Sequence, residues 1–86
     1  TGNSTNVVTL RTGQGQNYIP GGVVYVQAPD GSRISPELKI ITVVGDIVTV
    51  GAILLGAASN LGFIPQAGDF LKLGGFQDGG QSYRYV

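Results

Sequence analysis

The stretch LKIITVVGDIVTVGAI, from Leu38 to Ile53, decides the fold. It consists of two β-branched runs joined by Gly45-Asp46, and a Gly-Asp pair between such runs is typical of a two-residue hairpin turn. Glycine supplies the positive φ that the first turn position requires. The register expected from this turn pairs Val44 with Ile47, Val43 with Val48, Thr42 with Thr49, Ile41 with Val50 and Ile40 with Gly51.

Both faces of the predicted hairpin are apolar. Side chains alternate along a strand, and one face then carries Leu38, Ile40, Thr42, Val44, Ile47, Thr49 and Ile53. The other face carries Ile41, Val43, Val48, Val50 and Ala52. A strand pair that is apolar on both sides must be covered on both sides, by the rest of the chain or by another chain.

A single long helix over residues 36–60 is the alternative. Ser35-Pro36-Glu37 resembles a helix start, with a capping serine, proline at the first position and an acid in the first turn. The only charge from Ile40 to Ile64 is Asp46, so such a helix is long and apolar enough to cross a membrane. The β-branched residues and internal glycines favour strands. The sequence therefore predicts an all-β fold, a small hairpin-rich sandwich or barrel with extended termini, and leaves the helix open.

The composition limits both stability and chemistry. A chain of 86 residues makes a single domain, 1–86, which buries only about 60–65% of its unfolded surface. It has no cysteine and no histidine, which removes disulfides, thiolate metal sites and the usual general base. Its 5 basic and 5 acidic residues cancel, so we expect no basic face for nucleic acid. Oligomerisation or docking on a partner is the remaining source of stability.

The rest of the chain reads as short strands separated by glycine-rich turns. Residues Thr1 to Asn6 are small and polar and are predicted to form a flexible arm. The predicted strands outside the hairpin are Val7 to Arg11, Val23 to Gln27, Phe70 to Leu73 and Ser82 to Val86. Thr12 to Gly22 is predicted to be a loop, and Phe63 and Ile64 are expected to fill the core.

The aspartates indicate turns rather than catalysis. Asp30, Asp46, Asp69 and Asp78 each adjoin a glycine, a combination typical of turns. No calcium-loop pattern is present, and no serine has a histidine that would activate it. We therefore predict that the protein is not an enzyme and has no cofactor or metal site.

The glycine-rich character of the chain is shared with a known class of structural proteins. Within residues 7 to 55, the segments VVTLR, VVYVQAPDG and GDIVTVGAILLG resemble, in general character, the small decoration or cement proteins of tailed-phage capsids. The resemblance implies a structural virion protein on the capsid surface. It would bind the major capsid protein or another shell protein, as a homo-oligomer for which a trimer is favoured.

Two other functions stay open. The helix alternative corresponds to a small membrane protein anchored over residues 38–60. The other alternative is a free-standing, non-catalytic β module that binds carbohydrate or another ligand, for which an extracellular location is open; it rests on aromatic residues. The candidates for that module are Tyr18, Tyr25, Phe76, Tyr83 and Tyr85.

The two ends of the chain are predicted to be contact arms. Each contains a short alternating segment that is suited to adding a strand to the sheet edge of a neighbour. The residues assigned to these arms are Val7, Val8, Thr9, Leu10 and Arg11, and Tyr83, Arg84, Tyr85 and Val86.

Overall fold

The computed structural model describes residues 3–74 in full and residues 83–85 as backbone. Its strands are β1 Val7–Thr9, β2 Val23–Gln27, β3 Leu38–Val44, β4 Ile47–Gly51, β5 Phe70–Leu73 and β6 Tyr83–Tyr85. A short 3₁₀ helix, Gln14–Asn17, lies in the loop between β1 and β2. The strands lie where the sequence predicts them, although β1 ends before Arg11.

The strands form one antiparallel sheet, so the all-β prediction is confirmed. The order across the sheet is β1-β4-β3-β2-β5-β6. In finer detail this is a single sheet rather than two packed sheets, and the described strands do not join β1 to β6 into a closed barrel. The alternative of a helix over residues 36–60 is wrong, because Leu38–Val44 and Ile47–Gly51 are paired strands.

The central hairpin has the predicted turn but contains a β-bulge. Gly45 has φ of 61°, and the three pairs nearest the turn are those expected. Beyond them the register shifts between Ile40 and Thr42, so that Ile40 pairs with Val50 and Lys39 with Gly51. The pairs predicted for Ile41 and Ile40 are therefore wrong by one residue, because Ile41 is the extra residue of the bulge.

The bulge sorts the hairpin into a buried face and an exposed face. A shift of one residue exchanges the faces of a strand, so Leu38 and Ile40 join Val48 and Val50 in the core, all at most 2% exposed. Ile41 is turned outward. Its Cδ1 atom would lie 3.2 Å from a Cβ added to Gly51, so Ile41 covers the position where Gly51 has no side chain.

The core lies on the inner face of the sheet and includes residues from the loops. Tyr18 is 4% exposed and its hydroxyl donates a 2.6 Å hydrogen bond to the carbonyl oxygen of Leu71. Leu61 is 1% exposed. Of the two predicted core residues, Phe63 packs against the core, whereas Ile64 is 55% exposed. Leu61 takes the position that the sequence analysis assigned to Ile64.

The segment before β1 is held against the sheet. Asn6 donates hydrogen bonds from Nδ2 to the carbonyl oxygens of Val50 and Ser59, and Thr5 accepts one from the backbone N–H of Leu61. The prediction of a flexible arm therefore does not describe residues 3–6, because they pair with loops distant in sequence. Residues 1 and 2 lie outside the described part of the chain.

Ser35 does not cap a helix. Its hydroxyl oxygen accepts a 2.8 Å hydrogen bond from the N–H of Val26, and its own N–H donates to the Val26 carbonyl oxygen. The residue is 4% exposed. Ser35 therefore extends the pairing beside β2, and the chain then enters β3 directly.

Candidate docking surface

The outer face of the β3–β4 hairpin keeps aliphatic side chains in solvent. Val44 and Ile47 form a cross-strand pair beside the turn and are 69% and 39% exposed. Ile41, at the bulge, is 48% exposed. We call these three residues, with the Thr42–Thr49 pair between them, the outer stripe. A contiguous exposed apolar surface of this kind is a marker of an interaction site.

The turn end of the outer stripe is fixed in place by the loop that follows β1. Asp46 accepts hydrogen bonds from the backbone N–H groups of Gly15 and Gly13, at 2.9 and 3.2 Å. A Cβ on Gly15 would collide with the carbonyl oxygen of Gly45, so glycine is required for this approach. A shallow cavity of about 460 Å³ lies between loop and turn. The carboxylate of Asp46 is thus occupied by the protein's own backbone.

A second exposed aliphatic segment lies at the opposite end of β4. Leu54 is 64% exposed and Leu55 fully exposed. They sit in a tight turn in which the N–H of Ala57 donates to the carbonyl oxygen of Leu54 at 3.0 Å, with Gly56 at φ of 88°. The sequence did not predict a contact role for this segment.

The predicted contact arms lie at the two ends of the sheet. In the N-terminal arm, Val8 and Leu10 are core residues at 0% and 5% exposed, whereas Val7 and Thr9 lie on the outer face and Arg11 is exposed. This arm is thus an integral edge strand. Residues 83–85 of the other arm pair with β5 as the opposite edge. Val86 lies outside the described residues.

A partly buried ion pair that was not predicted from the sequence joins Arg33 to Asp69. Both guanidinium nitrogens of Arg33 donate to the carboxylate of Asp69, at 2.9 and 3.0 Å, and Asp69 is 1% exposed. This hydrogen bonding raises the pKa of Arg33 above its ordinary value. Arg33 also lies 5.2 Å from the ring centroid of Phe63. Both carboxylate oxygens of Asp69 are thus hydrogen-bonded within the fold.

Of the five aromatic residues considered for ligand binding, the two whose side chains the structure describes lie apart. Tyr18 belongs to the core, while Tyr25 lines a separate shallow cavity of about 400 Å³ with Ile34, Ser35, Pro36 and Glu37. Phe76 lies outside the described residues, as do the side chains of Tyr83 and Tyr85. No aromatic platform is formed by the two tyrosines that the structure describes.

The described part of the chain lacks two features that mark other classes of function. No group of three or more His, Cys, Asp or Glu residues is placed to hold a metal ion there. The same residues include no helix with the length and apolar character needed to cross a membrane.

Comparison with protein-family models, with curated proteins and with solved structures finds no match to this chain. Function therefore has to be inferred from the geometry described above.

Proposed function

We propose that this chain is a non-catalytic structural module that binds the protein shell of a virion, as a decoration or cement protein. One observation supports the proposal above the others. The outer stripe presents Ile41, Val44 and Ile47 to solvent on a hairpin whose turn is fastened by Asp46. An apolar surface on a rigid support binds with little loss of conformational freedom.

The chemistry of the outer stripe favours a protein partner. Apart from Lys39 at the far end of β3, the outward positions of the hairpin carry no charge. Phosphate binding requires basic side chains, whereas the centres of protein interfaces are depleted of charge. The partner in this proposal is the major capsid protein or another shell protein, and the site of action is the capsid surface.

The outer stripe is small, and this favours several copies acting together. A stable protein interface commonly buries about 800 Å² on each partner, more than three aliphatic side chains provide. A homo-oligomer, in our proposal a trimer, presents the stripe several times to a symmetric shell. Multivalent attachment then strengthens binding without any additional type of contact.

The test is co-sedimentation with purified tailed-phage shells that lack their own decoration protein. Val44→Lys places a charge at the turn end of the stripe, and burying that charge against a partner without a countercharge is unfavourable. Because Val44 is 69% exposed, the melting temperature should stay unchanged. We expect binding to fall at least about tenfold, which corresponds to about 1.4 kcal/mol.

Ile19→Lys is the matched control. Ile19 is 72% exposed and lies in the loop before β2, outside the stripe, so this variant should sediment with shells as the unmodified chain does. Binding of the unmodified chain should also change little between low and high salt, since few charges take part. Absence of binding by the unmodified chain, or equal binding by the Val44→Lys and Ile19→Lys variants, would contradict the proposal.

A further inference from the structure

The backbone of β1 alternates between groups that face β4 and groups that face away from it. Leu10 donates to the Asp46 carbonyl oxygen, and the Asn6 carbonyl oxygen accepts from Val50. With the register Val8–Val48, Asn6, Val8 and Leu10 are therefore the residues hydrogen-bonded to β4. The N–H and C=O groups of the residues between them, Val7 and Thr9, point to the open side of the sheet.

The segment before β1 occupies three of these outward groups, the N–H and C=O of Val7 and the N–H of Thr9. Ser4 and Val7 exchange two backbone hydrogen bonds, of 3.0 and 3.3 Å. The side-chain oxygen Oδ1 of Asn3 accepts a 2.6 Å hydrogen bond from the N–H of Thr9. The Nδ2 group of Asn3 donates to the carbonyl oxygen of Pro65 at 2.8 Å, which anchors the segment on the neighbouring loop.

We propose that residues 3–6 form an edge cover, and that the β1 edge beneath it pairs with the β1 edge of a second copy of this chain when the cover is released. Unpaired strand edges readily add a further strand, and natural proteins commonly block them. The cover blocks the edge in two ways: the chain turns back so that the backbone of Ser4 pairs with Val7, and the side chain of Asn3 accepts from the N–H of Thr9. It is a control on self-association and does not depend on the proposed shell binding.

A second copy fits this edge by symmetry. If a two-fold axis passes beside Val8, Val7 of one copy lies opposite Thr9 of the other. The outward N–H and C=O groups of Val7 and Thr9 then hydrogen-bond to each other across the two copies, in place of their present bonds to Ser4 and Asn3. Arg11 lies opposite Thr5, so no like charges meet across the pair. The segment NVVTL, residues 6–10, has no charge, proline or glycine, a composition suited to strand pairing.

The first test removes the cover in two ways. One variant lacks residues 1–5, and the other carries Asn3→Ala in the full chain. Light scattering during size-exclusion chromatography should give the truncated variant twice the mass per particle of the unmodified chain. In Asn3→Ala, the Thr9 amide should exchange with solvent about five times faster at low protein concentration, the effect of losing one ordinary hydrogen bond, and become protected again as concentration rises.

Two controls make the outcome specific. Asn17→Ala removes an exposed local hydrogen bond to the Gln14 carbonyl oxygen and should alter neither mass nor Thr9 exchange. Thr9→Pro in the truncated chain removes an N–H that does not bond to β4. The fold should survive this change, because proline is tolerated on an edge strand where the N–H faces out of the sheet. It should return the particle to its original mass.

Three results would overturn the proposal. In the first, the truncated chain has the same mass per particle as the unmodified chain, and the Thr9 amide of Asn3→Ala exchanges rapidly at every protein concentration. The second is association that persists in the Thr9→Pro variant, because another surface would then be responsible. The third result applies if truncation unfolds the chain, as seen by circular dichroism, so that only the Asn3→Ala variant can be tested. The proposal is then wrong if the exchange rate of the Thr9 amide in Asn3→Ala does not depend on protein concentration.

Discussion

Two turns of this molecule share the same sequence signal but differ in the burial and the hydrogen-bond partners of their aspartates. In both, an aspartate adjoins a glycine. Asp30 is exposed and its Oδ1 accepts a 2.9 Å hydrogen bond from the N–H of Ser32, two residues away. Asp69 is 1% exposed and its carboxylate binds Arg33. The same local motif thus makes a surface turn in one place and a long-range connection in the other.

The difference lies in what surrounds each carboxylate. Asp69 closes its own turn, because its Oδ2 accepts from the N–H of Gln66 at 3.0 Å, and it also reaches Arg33, which follows the turn after β2. Arg33 is itself 35% exposed and lies over Phe63. The Asp69 turn is therefore fastened to a distant part of the chain, whereas the Asp30 carboxylate accepts its hydrogen bond from within its own turn.

The largest effect is expected from Asp69→Ala. The change leaves the guanidinium of Arg33 without its partner and the N–H of Gln66 without its acceptor. Removing one member of a buried ion pair costs about 3–5 kcal/mol. We expect the lower end, about 3 kcal/mol, because Arg33 keeps access to water. Urea unfolding followed by circular dichroism measures this as a lower midpoint with an unchanged slope.

Asp30→Ala is the matched control for this comparison. It removes an aspartate from the other turn but leaves no buried group unpaired, so its unfolding midpoint should stay close to that of the unmodified chain. The double variant Arg33→Met with Asp69→Leu should recover much of the loss, because replacing both members of a buried pair by apolar residues is often neutral. Equal effects of Asp69→Ala and Asp30→Ala would show that the ion pair does not stabilise the fold.

The third aspartate tests an intermediate case. Asp46 is half-buried and links the β3–β4 turn to Gly13 and Gly15. Asp46→Ala leaves two backbone N–H groups without a protein acceptor, and we expect a loss of about 1–2 kcal/mol. Asp46→Asn retains one acceptor oxygen and should lose less. A melting temperature for Asp46→Ala equal to that of the unmodified chain would mean that water replaces the carboxylate.

The hairpin and the strand positions were predictable because their signals are local. Gly45-Asp46 specifies its turn through the φ of a single glycine, and β2 and β5 show β-branched or aliphatic runs bounded by turn residues. The outer stripe followed in part, since the hairpin was expected to be apolar on both faces. Val44 and Ile47 do lie together on one face, as the alternation near the turn predicted.

Contacts between distant residues were not predictable from these patterns. The side chain of Ile41, the extra residue of the bulge, covers Gly51 on the opposite strand, where there is no side chain. Leu61 is buried in a loop whose backbone N–H at Leu61 donates to the carbonyl oxygen of Thr5. Asn3 looks like any residue of a polar terminus. Each depends on a partner that only the folded topology brings near, and strand periodicity carries no information about such partners.

The smallest effect concerns the pH response of Asp30. The backbone N–H of Ser32 hydrogen-bonds its carboxylate and lowers the pKa of Asp30 below its ordinary value. A group whose pKa is lower in the folded state stabilises the fold above its unfolded pKa, about 3.9 for aspartate, and this contribution is lost as pH falls through the folded pKa. Relative to Asp30→Asn, which keeps an acceptor oxygen but does not titrate, the unmodified chain should therefore lose a little stability below about pH 4.

Carboxyl chemical shifts, followed by NMR against pH, measure the pKa of Asp30 directly. Ser32→Pro is the control, since proline has no N–H to donate, and it should bring the pKa of Asp30 back towards the ordinary value. The exposed position of Asp30 keeps the accompanying change in unfolding midpoint small, because solvent screens its interactions. A pKa at or above the ordinary value in the unmodified chain would show that the Ser32 N–H does not hold this carboxylate. The Asp30 turn would then rest on its backbone hydrogen bonds, such as that from the N–H of Gly31 to the carbonyl oxygen of Ala28, and its carboxylate would have no contribution to set against that of Asp69.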